Sequence, residues 1–216
     1  MDFQQGVDGM HARASSDVQV WDPFVRIAHW TVAVGFFVAY LTEDAKIVHV
    51  WAGYIVGALV FARIVWGFVG PRHARFSDFI TGPVAATHYL WDLVRARAKR
   101  YVGHSPAGGA MVIALLAFLA ATVVTGLVRY AEEDAAGPLA PLYAQTSSIG
   151  GAQTVEDDEN QVGERGGRSA FSESHEVIAS ITLGLIVFHV LGVILASFVH
   201  HENLARAMVT GRKRPD

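Results

Sequence analysis

Four long apolar stretches dominate the sequence and limit the folds that the chain can adopt. Each approaches or exceeds the roughly 20 residues that an α-helix needs to cross the hydrocarbon core of a bilayer. They are Phe24–Leu41, Ile47–Val69, Ala107–Val128 and Glu176–Val199. Because lipid offers no hydrogen bonds to an exposed backbone, each span is predicted to be a helix. The sequence therefore predicts an all-α integral membrane protein, built as a bundle of four transmembrane helices.

Polar segments separate these spans and divide the chain. No cleavable signal peptide is expected, because the first apolar run ends in Glu43-Asp44 instead of a small-residue cleavage site. Five parts are predicted: a polar tail at 1–20, the first three spans at 21–130 with a basic connection at 70–105, an acidic segment at 131–174, the fourth span at 175–199, and a basic tail at 200–216.

The basic residues indicate how the chain is oriented. The N-terminal part through Arg26, the 70–105 connection and the C-terminal tail hold twelve Lys and Arg residues, whereas the loop Thr42–Lys46 and the 131–174 segment hold three. Basic residues close to the ends of spans favour the cytoplasmic side of a membrane. Both termini are therefore predicted to be cytoplasmic, and the acidic segment is predicted to be a periplasmic loop.

The basic connection contains a second helical pattern. Thr81-Gly82-Pro83 has the composition of a helix start, and Leu90, Leu93 and Val94 form a short apolar stripe. Two interpretations are open: an interfacial helix lying on an anionic leaflet, or a solvated loop. Ser105-Pro106 then predicts the start of the third span, with serine as the N-cap and proline at the first helical position.

Four histidines lie within the spans or at their ends, where ionisable side chains are functional candidates. They are His29, His49, His175 and His189. His175 and His189 are roughly 21 Å apart along one helix axis and about 40° apart in azimuth. In the predicted topology His49 and His175 lie near the periplasmic surface, and His29 and His189 lie nearer the cytoplasm. The depths of the second pair differ by a nominal offset of about 9 Å.

Pairs of imidazoles on facing helices match the needs of haem b, whose iron takes two axial nitrogens. Gly53 and Gly57 follow His49 on the same helix face, and such small residues permit a close approach by another helix or by a flat cofactor. Zinc would need three or four ligands that converge on one point. The absence of cysteine excludes iron–sulfur clusters, thiolate-bound haem and covalent c-type haem. Two bis-histidine haem b groups are therefore predicted.

Two arginines are further candidates for cofactor binding. Arg26 lies one turn before His29, and Arg63 lies late in the second span. Either guanidinium could pair with haem propionates through charge-assisted hydrogen bonds, or could extend to the headgroups of the inner leaflet.

Taken together, these segments resemble the bacterial cytochrome b561 family, which includes the b-type cytochrome subunits of nickel–iron hydrogenases. The resemblance rests on VWDPFVRIAHW, HVWAGYIVGALVFARIVWG, GHSPAGGAMV, the His175–His189 pair and HHENLARAMVTGRKR. It implies a four-helix bundle with two b haems and with His29, His49, His175 and His189 as axial ligands. It also implies electron exchange between the quinone pool and a partner at the outer face. The acidic segment of 44 residues is longer than the usual connection in this family.

The predicted function is that of a dihaem cytochrome that transfers electrons across the inner membrane, with quinone as a substrate. Three roles compete: an anchor for a hydrogenase or another periplasmic dehydrogenase, a quinone reductase for a carrier such as cytochrome c, and a superoxide:quinone oxidoreductase. The acidic 131–174 segment either steers a basic redox protein to the outer face or is a solvated loop. A non-redox transporter that uses intramembrane histidines is a remote alternative. Membrane lipid is an expected partner, and nucleic acid is not.

Overall fold

The computed structural model describes residues 18–142, 144 and 170–214. It is helical except for two short strands and the connecting turns. Its helices are α1 Pro23–Leu41, α2 Lys46–Val69, α3 Pro83–Val94, α4 Pro106–Asp134, α5 Ala170–Val199 and α6 Leu204–Thr210, and its strands are β1 Val18–Gln19 and β2 Arg212–Lys213. Four of the helices, α1, α2, α4 and α5, are long and apolar enough to cross a membrane. The prediction of an all-α protein with four transmembrane helices is confirmed.

Helices α4 and α5 extend beyond the apolar stretches that predicted them. α4 continues to Asp134, and α5 has already begun at Ala170, so both ends of the 131–174 segment are helical. Ion pairs support the polar end of α4: Arg129 Nε donates to Glu133 Oε2 at 3.0 Å, one turn later, and Lys46 Nζ lies 2.5 Å from Asp134 Oδ1. A polar helix end can continue past the bilayer because water and paired side chains satisfy its surface.

The helix starts predicted in the basic connection are both present. Gly82 is the N-cap of α3 and Pro83 is its first residue. At α4 the Ser105 hydroxyl accepts a hydrogen bond from the backbone N–H of Gly108 at 3.1 Å, as expected of a serine N-cap before a proline.

The described residues belong to two compact units, and each long helix contributes residues to both. The first, called here the terminal unit, comprises the described residues of Met1–Trp30, Val65–Met111 and Val190–Asp216. The second, called here the cavity unit, comprises those of Thr31–Ile64 and Val112–His189.

In the terminal unit the two ends of the described chain are joined. Strand β1 pairs antiparallel with β2, and the backbone N–H of Val20 donates to Gly211 O at 2.8 Å. Gly211 has a φ of 80° and closes α6, a conformation in which glycine carries no steric penalty. These contacts bring the residue before α1 to the end of α6.

In the cavity unit the core lies between α1, α2, α4 and α5. Phe36, Val56, Val60 and Leu119 are its buried centre. A Cβ added at Gly57 would lie 2.8 Å from a methyl group of Val123, so glycine is needed for α2 and α4 to approach this closely. The small residues after His49 thus serve in part to pack helices together.

Candidate functional site

The cavity unit contains an open cavity of about 400 Å³. This volume is within the usual range of ligand pockets. All four long helices contribute to its lining. His49 from α2 and His175 from α5 both line it, and Tyr54, Arg129 and Tyr130 add polar groups. The structure therefore brings together the two histidines that the sequence paired near the periplasmic surface.

The two imidazole rings have the separation of axial ligands on one metal ion. Their centroids are 6.1 Å apart and their planes are inclined by 76°. A metal–nitrogen bond of about 2 Å and about 1.1 Å from nitrogen to ring centre, counted on both sides, give about 6.2 Å. Aromatic rings that pack directly on each other also prefer centroid distances of about 4.5–7 Å. The observed distance therefore fits both shared ligation and direct packing, and the hydrogen bonds of the two histidines decide between them.

The hydrogen bonds of His175 fix which of its nitrogens can act as a ligand. Its Nδ1 lies 3.0 Å from the carbonyl oxygen of Thr122 and 3.2 Å from Thr125 Oγ1. A carbonyl oxygen only accepts, so Nδ1 carries the hydrogen and donates it. The Thr125 hydroxyl donates to Ala121 O at 2.8 Å and can therefore accept from His175. The lone pair of neutral His175 is thereby placed on Nε2.

His49 is held in the same tautomer by a different helix. Its Nδ1 lies 2.9 Å from the carbonyl oxygen of Ala39, near the end of α1. The same reasoning puts the hydrogen on Nδ1 and the lone pair on Nε2. A ligating histidine whose other ring N–H donates to a backbone carbonyl is the usual arrangement in metal sites, because the bond orients the ring and raises its basicity.

Two glycines make room around this pair. A Cβ added at Gly126 on α4 would lie 2.9 Å from His175 Cε1, so the ring lies directly against the backbone of α4. Gly53 also lines the cavity, and a Cβ added there would meet no protein atom within 4 Å. A side chain at Gly53 would occupy cavity space, which is where a flat cofactor needs the room. The histidine chemistry and this space together fit haem b.

The comparisons with known proteins agree with this fit. The family profile described as prokaryotic cytochrome b561 matches residues 20–211. The chain belongs to this family. It is therefore a b-type cytochrome, an electron-transfer protein that carries haem b, and a multi-pass protein of the bacterial inner membrane.

Curated relatives resemble the chain over more than half of its length. A probable Ni/Fe-hydrogenase B-type cytochrome subunit of Azotobacter vinelandii is 26% identical over 176 residues, which cover 63% of this chain and 72% of the relative. A protein of the same description from Rhodobacter capsulatus is 27% identical over 152 residues, covering 56% of this chain and 57% of the relative. No solved structure matches this cytochrome significantly.

The other two predicted ligands lie in different units. His29 is on α1 in the terminal unit, where its ring meets that of Trp30 edge-on at 5.2 Å. His189 is on α5 in the cavity unit, half-buried and fourteen residues after His175. The pairing of His29 with His189 stays a prediction.

The two predicted arginines have different surroundings. Arg26 is half-buried and donates from Nη2 to the carbonyl oxygen of Val209, so it also joins α1 to α6. Arg63 is only 9% exposed. A side chain that extends to lipid headgroups would be exposed to its surroundings, so the burial of Arg63 places it inside the protein instead. A bond from either residue to a haem propionate stays a prediction.

The third span holds residues whose role was not predicted. Thr122, Thr125 and Gly126 lie on α4 and contact His175, although this span has no histidine and no acid. The signal in the sequence is Thr122-Val123-Val124-Thr125-Gly126, in which two hydroxyls and a glycine interrupt an otherwise apolar helix. Residues three and four apart share a helix face, so these groups could have been placed opposite a ligand.

Proposed function

We propose that this cytochrome holds two b haems and transfers electrons across the inner membrane between the quinone pool and a periplasmic redox partner. His49 and His175 hold the outer haem, and His29 and His189 hold the inner one. The observation that carries the proposal is the His49–His175 pair, with rings 6.1 Å apart and both Nδ1 atoms engaged by backbone carbonyl oxygens.

The protein positions and tunes the cofactors. Haem b supplies one-electron chemistry at its iron when it is bound. With His49 and His175 both holding the iron, the site would have no place for oxygen to bind, and it would relay electrons instead. The hydrogen bonds from His175 Nδ1 to Thr122 O and from His49 Nδ1 to Ala39 O would increase the electron density that the imidazoles offer to a bound iron, which would lower its reduction potential. Since α5 provides His175 and His189, the two sites are roughly 21 Å apart along its axis.

The proposed orientation places both termini in the cytoplasm. Support comes from basic side chains in the connection and the C-terminal tail, such as Arg72, Arg97 and Arg212, which are exposed in the terminal unit. Reporter fusions test the orientation: a cytoplasmic reporter joined after residue 216 is expected to be active, and a periplasmic reporter there is expected to be inactive.

The relatives favour one partner among the competing roles. Their names describe subunits of Ni/Fe-hydrogenases, which supports a role as the cytochrome subunit that accepts electrons from such an enzyme and delivers them to quinone. The opposite direction of transfer, to a carrier such as cytochrome c, uses the same sites. A superoxide:quinone oxidoreductase is the third candidate and has no comparable support.

Docking of the partner on the 131–174 segment is a separate proposal. Residues 143 and 145–169 lie outside the described residues, and the described acids at the end of α4 are partly engaged. Glu133 pairs with Arg129, and Asp134 pairs with Lys46. Deletion of residues 145–168 tests the proposal: slower reduction by the partner supports docking there, and unchanged kinetics refute it.

Haem stoichiometry and donor specificity test the function. The purified protein is expected to contain two b haems per chain with a split α-band and two midpoint potentials, and haem-free or single-haem protein would refute the dihaem proposal. In native membranes, hydrogen is expected to reduce the haems and added quinone to reoxidise them. Reduction by superoxide but not by hydrogen would favour the third role instead. Full haem content with lost solute flux in His175→Ala would favour a transporter.

A further inference from the structure

Helix α3 has one face fixed to the rest of the terminal unit. Ala86, Tyr89 and Leu93 are buried on this face. Tyr89 Oη lies 3.1 Å from His200 Nε2, and the Tyr89 ring meets Tyr101 edge-on at 5.7 Å. These contacts hold the helix in one rotation about its axis, so its opposite face is defined as well.

The side of α3 away from these contacts is exposed and carries three large apolar side chains, together with the polar side chains of Thr87 and His88. Val84 is 67% exposed, Trp91 is 57% exposed and Val94 is 69% exposed. Val84 and Trp91 are seven residues apart and only about 20° apart in azimuth, so they lie on one line along the helix. A tryptophan exposed to this extent between aliphatic side chains is typical of segments that lie at a membrane–water interface.

A basic stretch continues from this face. Arg95, Arg97 and Lys99 are exposed, and the guanidinium of Arg95 stacks 4.2 Å from the centre of the Trp91 ring. Arg100 differs from them, because it forms a two-pronged ion pair with Glu202 at 3.2 and 3.3 Å. Three bases therefore remain at the surface beside the apolar face.

A tight turn fixes where this basic stretch begins. The backbone N–H of Arg97 donates to Asp92 O at 2.8 Å, and that of Ala96 donates to Leu93 O at 3.0 Å. Ala96 adopts a φ of 54°, and this pattern of bonds is a Schellman motif. The chain leaves α3 in a defined direction, with the bases close to Trp91.

The position of α3 in the chain keeps it near the membrane. It connects α2 to α4, both of which are candidate membrane spans. The chain that leads into α3 packs against the start of α4, because a Cβ added at Gly109 would lie only 2.5 Å from the carbonyl oxygen of Phe79. Because α3 lies between two membrane spans, its exposed apolar side chains are better accommodated in the interfacial region of the bilayer than in water.

We propose that α3 and the stretch Arg95–Lys99 bind anionic phospholipid headgroups at the membrane surface. Guanidinium groups pair with phosphate oxygens in two-pronged hydrogen bonds, and Val84, Trp91 and Val94 enter the boundary between headgroups and acyl chains. An acidic protein would match the charge of the bases, but it would leave the adjoining apolar face without a lipid-like environment. The proposal does not depend on which histidines hold haem.

The test uses the intact haem-loaded protein in nanodiscs of phosphatidylcholine and phosphatidylglycerol. Brominated forms of each lipid quench nearby tryptophans, and the difference between wild type and Trp91→Phe isolates the signal of Trp91. Preference for phosphatidylglycerol is measured from the lipids retained by purified protein in native mass spectrometry. The test variant is Arg95→Gln/Arg97→Gln/Lys99→Gln. The control, Arg72→Gln/Arg206→Gln/Arg212→Gln, removes the same charge from exposed positions outside α3 and the stretch Arg95–Lys99.

Trp91 is expected to be quenched by brominated phosphatidylglycerol more than by brominated phosphatidylcholine. Each surface base contributes roughly fivefold, so the test variant is expected to lose preference by up to about 100-fold. The control is expected to keep it, and wild-type haem absorbance in both variants shows that they fold. Quenching of Trp91 by aqueous iodide but not by bromolipid would overturn the proposal. Shielding from both quenchers, which indicates a covering protein, or equal lipid preference in the two variants would also overturn it.

Discussion

Replacement of Gly126 by alanine tests how closely His175 must lie against α4. The added Cβ would lie 2.9 Å from His175 Cε1, whereas carbon atoms attract each other at about 3.5–4.0 Å. The ring or the helix must therefore move by at least about 0.6 Å. The residues of a binding site must be held within about 0.5 Å of their working positions. Gly126→Ala is thus expected to move the imidazole out of line with His49.

The size of the effect follows from the cost of overpacking. An extra methyl group in a tightly packed region costs about 1–3 kcal/mol, which corresponds to roughly 5- to 150-fold weaker retention of haem at this site. The added methyl group meets the imidazole ring itself and not the end of a flexible side chain, and moving the ring also weakens its hydrogen bond from Nδ1 to Thr122 O.

The assay is the transfer of haem to excess apomyoglobin, followed by absorbance, together with a redox titration. Gly126→Ala is expected to release one haem faster and to leave the other unchanged. Gly184→Ala on α5 is the control, because its added Cβ meets no atom within 4 Å. Wild-type release rates and potentials in Gly126→Ala would refute the inference that α4 positions this ligand. Equal effects in both variants would indicate general destabilisation of the helices.

Three further predictions concern other contacts. Thr125→Val removes one of the two hydrogen-bond acceptors near His175 Nδ1, so the midpoint potential of one haem is expected to rise. Thr125→Ser keeps the hydroxyl and is expected to restore the wild-type potential. An unchanged potential in Thr125→Val would contradict a role of this residue in tuning the haem. Ala96→Gly relieves a left-handed φ of 54° and is expected to stabilise the protein by about 1 kcal/mol in thermal unfolding, whereas a lower melting temperature would contradict the strain. Acidification is expected to loosen the contacts of His200 and Glu202. Burial lowers the pKa of His200. Burial alone would raise the pKa of Glu202, but its ion pair with Arg100 and other basic neighbours lower that pKa overall. Both groups bind fewer protons when folded, so stability falls as pH drops through and below their ordinary pKa ranges, and hydrogen exchange near residues 200–202 that is independent of pH would contradict this.

Apolar length made the four spans predictable, because few other structures can bury so many consecutive apolar residues. The polar ends of α4 and α5 were not predictable from that signal, since water and pairs such as Arg129–Glu133 allow a helix to continue beyond the bilayer. In α3 the start was predicted correctly. The stripe that included Leu93 and Val94 was not one face, because the structure buries Leu93 and exposes Val94.

Depth along the spans was enough to pair His49 with His175, because topology fixes the level of each residue in the membrane. It did not give their hydrogen-bond partners. Those depend on how each helix is rotated about its axis, which places Ala39 O beside His49 and Thr122 O beside His175. Gly126 carries no charge and no polar side chain, so only the close approach of the histidine ring shows its importance.

The most direct test of the account is the haem content of variants in which one proposed ligand is replaced. His175→Gly and His49→Gly, purified and assayed as pyridine haemochrome, are each expected to keep one haem per chain in place of two, and added imidazole is expected to restore the second by filling the vacated space. His88→Gly, which removes an exposed histidine on α3, is expected to keep both. If His49→Gly and His175→Gly both keep the haem content and low-spin spectrum of the wild type, these residues are not the axial ligands.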